Sequence, residues 1–216
     1  MNSISRLLLA CGAALTLTVS ATAATPRQAK EASQVRNIID KVNTHWQTTH
    51  KPEAWSFWHV AAYHTGNMEA YKLTGKPGYL DYSLAWADHN QWKGAKGDDR
   101  SKWKYNYGET DDHVLFGDWQ ICFQTYADLY NVKQEENRIK RAREVMEYEM
   151  DTPQNDYWWW ADGLYMVMPV MTKLYKITGN RKYLDKLYDY ILVSDSIMLD
   201  NETCLLYTSP SPRDTR

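Results

Sequence analysis

Two kinds of side chain gather at three places in the chain. Trp55, Trp58, His59, Tyr63 and His64 form one group and Thr110-Asp111-Asp112-His113 a second. Tyr157-Trp158-Trp159-Trp160-Ala161-Asp162-Gly163 form the third. Carboxylates and imidazoles move protons near neutral pH when their surroundings tune them. Indole and phenol rings offer an apolar face and a polar edge, which suits a polar ring such as a sugar. A carboxylate beside a wall of Trp would lose hydration and hold its proton more tightly, as a general acid requires. Each group also has a plainer reading. An Asp just ahead of an apolar helix is commonly an N-cap. The histidines lack metal-ligand spacing, so no metal site is expected. Trp158 to Trp160 could be core, although successive residues change face, so equal burial of all three is not expected. No P-loop, GxGxxG, GxSxG, HExxH or CxxC pattern occurs.

The aromatic content leans the same way, with 10 Trp and 16 Tyr against 3 Phe in 216 residues. The formal charge of −2 provides no basic footprint for nucleic acid. The first 23 residues read as a secretory signal: Arg6, an apolar stretch from Leu7 to Val19, and Ala21-Thr22-Ala23 before the cut. Export, to a bacterial periplasm, follows from that reading. Leu8-Leu9-Ala10-Cys11 resembles a lipobox, but few apolar residues precede Cys11 and the run continues past it. No membrane span is expected in the mature chain. Residues 204–216 back-translate into the transposon-end adaptor of shotgun sequencing libraries. They are expected to be read-through, leaving 24–203 as the native mature part. Cys122 is then its single cysteine, so no internal disulfide is expected. Leaving out Arg6, Arg213, Arg216 and Asp214 takes the charge from −2 to −4. An anionic substrate would therefore need local donors.

What must position the three groups is a series of helices. Apolar residues recur at three- and four-residue steps, predicting helices near 31–49, 57–73, 78–91, 112–130, 135–150, 162–177 and 181–194. The 92–111 segment is a long connection, a common place for function. Tyr71-Lys72-Leu73-Thr74-Gly75, followed by Tyr79-Leu80-Asp81, returns 104 residues later. The second copy is Tyr175-Lys176-Ile177-Thr178-Gly179, followed by Tyr183-Leu184-Asp185. Helix 162–177 is apolar almost all round and should be an inner helix kinked at Pro169. Helix 135–150 is charged and should be an outer one. Inner and outer helices in alternation describe an all-α toroid of helical hairpins. The three polar-aromatic groups would then lie at inner-helix N-termini on one rim, whose free N–H groups suit an anion.

The carriers of a family resemblance are Trp58 with Tyr63-His64-x-Gly66, then Asp111-Asp112-His113, then Trp160-x-Asp162-Gly163-Leu164-Tyr165-Met166. Over roughly Val35 to Val193 the chain resembles the unsaturated glycuronyl hydrolases. It is most similar in these blocks to the unsaturated rhamnogalacturonyl hydrolase family, glycoside hydrolase family 105, which is related to family 88. The resemblance implies an (α/α)6 barrel of twelve helices, of which this chain holds about the N-terminal half. It places the catalytic Asp on Asp162 and a second active-site Asp on Asp111 or Asp112, with Asp112 favoured. It places sugar contacts on Trp58, Tyr63, His64 and Trp160. His113 and Trp158, from the same blocks, join them as candidates.

The reaction so implied is hydration of the enol ether in a 4,5-unsaturated uronic acid at the non-reducing end of a lyase-generated oligosaccharide. No metal or organic cofactor is implied. Two other readings fit the same aromatic wall. One is a different (α/α)6 carbohydrate enzyme, an inverting glycosidase or a sugar epimerase. The other is a non-catalytic sugar-binding protein.

Overall fold

The computed structural model describes residues 25–203 and 205–206. The signal sequence, Cys11, Cys204 and residues 207–216 lie outside them. The chain divides into two units, one ending at Ile38 and one beginning at Ile39. The described part of the first is the exposed beginning of helix α1 (Pro26–Thr49), where Arg27 pairs with Glu31.

The second unit is a run of helices. After α1 come α2 (Trp58–Thr74), α3 (Pro77–His89), a 3-10 turn at Arg100–Lys102, α4 (Gly117–Gln120), α5 (Cys122–Val132), α6 (Asn137–Asp151), α7 (Ala161–Thr178) and α8 (Lys182–Met198). A two-residue antiparallel bridge, Leu199–Asp200 with Leu205–Leu206, follows. The expected all-helical hairpin architecture is what the chain adopts. Helices α2 and α3, α5 and α6, and α7 and α8 form successive hairpins, and α2, α5 and α7 pack side by side as the inner layer. The arrangement is that of consecutive hairpins of a six-hairpin (α/α) toroid.

The 104-residue echo is structural. Helices α2 and α7 both end on a glycine in the left-handed region, Gly75 at φ 68° and Gly179 at φ 71°. The N–H of each returns to the carbonyl of Tyr71 or Tyr175. A side chain at either glycine would strain that cap. Eight residues after each of those tyrosines, a second tyrosine reaches an outer helix: Tyr79 donates to Asp40 at 2.6 Å and Tyr183 to Glu147 at 3.0 Å.

Burial differs between the inner helices. Residues 122–129 of α5 are all buried, because α5 lies between α2 and α7. In α7, predicted to be apolar all round, Gly163, Met166, Val167, Val170, Met171 and Leu174 are buried, while Tyr165 is 55% exposed. Helix α7 runs on through Pro169. A proline there removes the N–H that would reach the Tyr165 carbonyl. The Gln124 amide of α5 supplies the missing donor, at 2.9 Å from Tyr165 O and 2.9 Å from Met166 O.

One predicted helix is corrected. The 112–130 segment becomes a turn through Phe116, the short α4, a break at Ile121, and α5. Asp111 and Asp112 are drawn out of the helix by backbone bonds to the preceding connection. Their carbonyls accept from Gly97 N and Lys104 N, each at 2.8 Å. Local periodicity carries no sign of partners so far upstream.

Candidate active site

Helices α2, α4 and α7 start near one another, and aromatic rings join their starts. Residues Phe57, Phe116 and Trp160 are the N-caps of α2, α4 and α7, and none makes a side-chain capping bond. Trp119 meets Phe57 at 4.7 Å and Trp55 at 5.6 Å between ring centroids, and its indole N–H donates to Gly108 O at 3.1 Å. Phe116 meets Trp160 at 4.9 Å and Tyr107 at 5.7 Å. The indole of Trp160 lies over Gly117 and Gly163, where a Cβ would come within 3.1 and 3.3 Å of it. A side chain at Gly163 would press on that ring. Rings within or beside the three sequence groups thus join at these helix starts.

The carboxylates of the two acid-bearing blocks differ in their settings. Asp112 is half-buried and heavily engaged. Its oxygens lie 2.5 Å from Lys104 Nζ, 2.5 Å from Thr110 Oγ1 and 3.1 Å from His113 Nδ1. The Lys104 and Thr110 bonds hold its carboxyl well below the usual carboxylate range. Asp162, on the first turn of α7, is exposed and has no side-chain hydrogen bond or ion pair among the described residues. Neither Asp is an N-cap. The desolvation expected of a carboxylate beside the tryptophans is not present at Asp162.

The other candidates separate into two sets. Trp58, Trp159 and Trp160 are half-buried at the junction, and Trp58 packs edge-on to the exposed His59 at 5.6 Å. His113 is buried next to Asp112, with Nδ1 2.8 Å from Thr110 Oγ1. Asp111 is exposed, and its Oδ1 accepts from Lys96 N at 2.8 Å, so it ties two loop segments together. Tyr63, His64 and Trp158 point away from the junction. The Tyr63 hydroxyl donates to Asn43 at 2.8 Å and accepts from Gln47 at 3.1 Å. His64 is 1% exposed, stacks on Trp86 at 3.9 Å and shares a hydrogen bond with Ser83 at 2.9 Å. Burial lowers its pKa to about 3, so the ring is neutral. Trp158, 1% exposed, packs on Tyr190 at 4.8 Å. The three consecutive tryptophans are indeed unequally buried.

Lys104, Phe116 and Trp119 belong to the junction without having been singled out in the sequence. Lys104 lies eight residues before Asp112 in an irregular segment, where spacing carries no directional information. Cys122 is buried and free, and its thiol donates to Trp119 O at 3.2 Å. Among the described residues no cluster of His, Cys, Asp or Glu is placed to hold a metal ion, and no helix is long and apolar enough to cross a membrane.

Residues 31–213 match Glycosyl Hydrolase Family 88, a span that also takes in residues 204–213. Two solved structures are similar. One, named Polysaccharide Lyase BACCELL_00875, is 65% identical, with a TM-score of 0.81 over 83% of this chain and 51% of its own. The other, a glycosyl hydrolase family 88 protein from Bacteroides vulgatus, is 55% identical, with a TM-score of 0.81 over 82% of this chain and 51% of its own. This chain therefore spans about half the length of either protein. No curated protein matches it. With a family match covering most of its length and a fold of consecutive helical hairpins, the chain belongs to glycosyl hydrolase family 88.

Proposed function

We propose that the protein of which this chain is part removes a 4,5-unsaturated uronic acid from the non-reducing end of lyase-generated oligosaccharides, in the manner of the related family 105. Rhamnogalacturonan fragments are the favoured source. The observation that carries this reading is the contrast between the carboxylates of the two acid-bearing blocks, beside an aromatic junction that Trp160 joins. Asp112 is pinned as an anion by Lys104 and Thr110, whereas Asp162 stands unpartnered on the first turn of α7.

Asp162 protonates C4 of the enol ether. The resulting cation at C5 is stabilised by the ring oxygen, and water adds there as the Asp162 carboxylate takes its proton. The hemiketal opens and the glycosidic bond is lost. Asp112 accepts hydrogen bonds from substrate hydroxyls and so orients the sugar. Trp160 and Trp58 provide faces for the sugar ring. The chemistry takes place at C4 and C5, so the carboxylate separations of ordinary glycosidases do not govern it. Export to the periplasm would put the enzyme where such fragments arrive.

A second reading is elimination by a polysaccharide lyase, since one similar structure bears that name. The two reactions have opposite signatures. Hydration consumes the ultraviolet absorbance of the C4=C5 bond, and elimination creates it. The full-length protein should bleach that absorbance on lyase-generated oligosaccharides, and Asp162→Asn should not. Rising absorbance on an intact polysaccharide would replace this reading with the lyase, and binding without turnover would replace it with a sugar-binding role.

A further inference from the structure

The connection that grips Asp112 is itself gripped from the outer layer. Arg141 of α6 is buried, and its Nη2 donates to Gly97 O at 2.5 Å and Ala95 O at 3.3 Å. Its guanidinium lies 4.9 Å from the centre of the Trp103 ring. The Trp103 indole N–H donates to the same Gly97 carbonyl at 2.9 Å. Glu144 orients the other arm of the fork at 2.8 Å. Arg141 therefore clamps the connection at Gly97 and at Trp103.

Those two points hold the acidic pair. Gly97 N donates to Asp111 O at 2.8 Å, next to the bond from Lys96 N to Asp111 Oδ1. The fit is close: a Cβ on Gly97 would fall 2.5 Å from Asp111 O. Lys104, next to Trp103, donates through its backbone N to Asp112 O and through Nζ to the Asp112 carboxylate. The load path thus runs from Arg141 to Gly97 and Trp103, and from there to Asp111, Lys104 and Asp112.

We infer that Arg141 is a positioning residue for Asp112, holding that carboxylate in register from the outer helix layer without touching substrate. The inference rests on Asp112 being one of the two working carboxylates, as proposed for the reaction. A guanidinium suits the task because one planar group bonds two carbonyls while stacking on an indole, which an ammonium does not reproduce. Arg138 provides an internal control. It lies on the same helix, stacks on Trp92 at 5.0 Å and bonds Leu129 O at 3.0 Å, so it secures α5 and not the acidic pair.

The test compares Arg141→Met with Arg138→Met in the full-length protein, reading amide hydrogen exchange, melting temperature and steady-state kinetics on unsaturated oligosaccharides. Arg141→Met should speed exchange at the Gly97 and Lys104 amides. It should also lower kcat by about ten-fold or more with a smaller change in KM, because misplacing a group costs most in the transition state. Arg138→Met should lower the melting temperature comparably while leaving both amides and kcat near wild type. Unchanged exchange at Gly97 and Lys104 in Arg141→Met, or an equal loss of kcat in both variants, overturns the inference. If Arg141→Met does not fold, Arg141→Lys is judged by the same criteria. If the wild-type protein does not consume unsaturated uronate, the proposed reaction fails, and the exchange measurement still decides whether Arg141 holds the pair.

Discussion

Asp112 and Asp162 stand in sequence contexts that read alike, each an Asp close ahead of an inner helix, yet they end in opposite surroundings. Asp112 lies in a turn, half-buried, with an ammonium, a hydroxyl and an imidazole on its oxygens. Asp162 lies on a helix, exposed, with no such partner. A third carboxylate marks the buried extreme. Glu149 of α6 is fully buried, accepts from the Gln120 amide, and has its pKa pushed up to about 8 by burial. The comparison shows how one side-chain chemistry is divided by environment. A charged partner keeps one carboxylate ionised, burial keeps another protonated, and the exposed one is left for substrate to complete.

The comparison can be broken most decisively at Asp162. Asp162→Asn should lower kcat on unsaturated oligosaccharides by about a thousand-fold, ~4 kcal/mol in the barrier. Asp112→Asn should cost less, about a hundred-fold, because it removes hydroxyl contacts and a charge but no transferring proton. Equal losses would erase the proposed division of labour.

Glu149 makes the next largest prediction, and it concerns stability. Its carboxyl has an ordinary value of 4.5 and a folded value of about 8, so the folded chain holds the proton to higher pH than the unfolded chain. Stability contributed by this group is therefore present below pH 4.5 and declines as pH rises from there through 8. Glu149→Gln keeps an oxygen that can accept from Gln120 and removes that decline. At pH 7 it should stabilise the full-length protein by on the order of 3 kcal/mol, with little effect at pH 4. Denaturation at the two pH values checks it, and a pH-independent effect would contradict the buried, protonated assignment.

Lys104→Met tests the opposite pole. Asp112 should titrate upward once the ammonium is gone, as read by carboxyl NMR. Because the pair is partly exposed, folding stability should hardly change. The smallest effect belongs to the start of the connection. Gln91 and Trp92 lie in the left-handed region at φ 54° and 57°. Gln91→Gly should raise stability by about 1 kcal/mol or less, measured by thermal denaturation, without altering kcat.

Legibility followed the range of the forces involved. The helix of Lys182–Met198 and the cap at Gly179 were readable because their determinants lie within a few residues: apolar periodicity, and a glycine where the chain turns left-handed. The Trp160-x-Asp162-Gly163 block was legible through its family resemblance, and the Trp160 ring lies against Gly163 one helical turn on. The 112–130 helix was misread because Asp112 and Leu115 at its start are bonded to Lys104, from a connection with no repeating pattern. Tyr63, His64 and Trp158 share the composition of a sugar site, but interhelix partners absorb them.

By itself, then, the sequence determined the all-helical hairpin series, its internal repeat and the two acid-bearing blocks. Each depends on spacing along a single helix or turn. Only the tertiary structure decided which aromatics face the junction, that neither Asp caps a helix, and that Lys104 and Arg141 bear on Asp112. Those outcomes depend on which distant groups come within a few ångströms, and on burial, which sets the free energy of every charge involved.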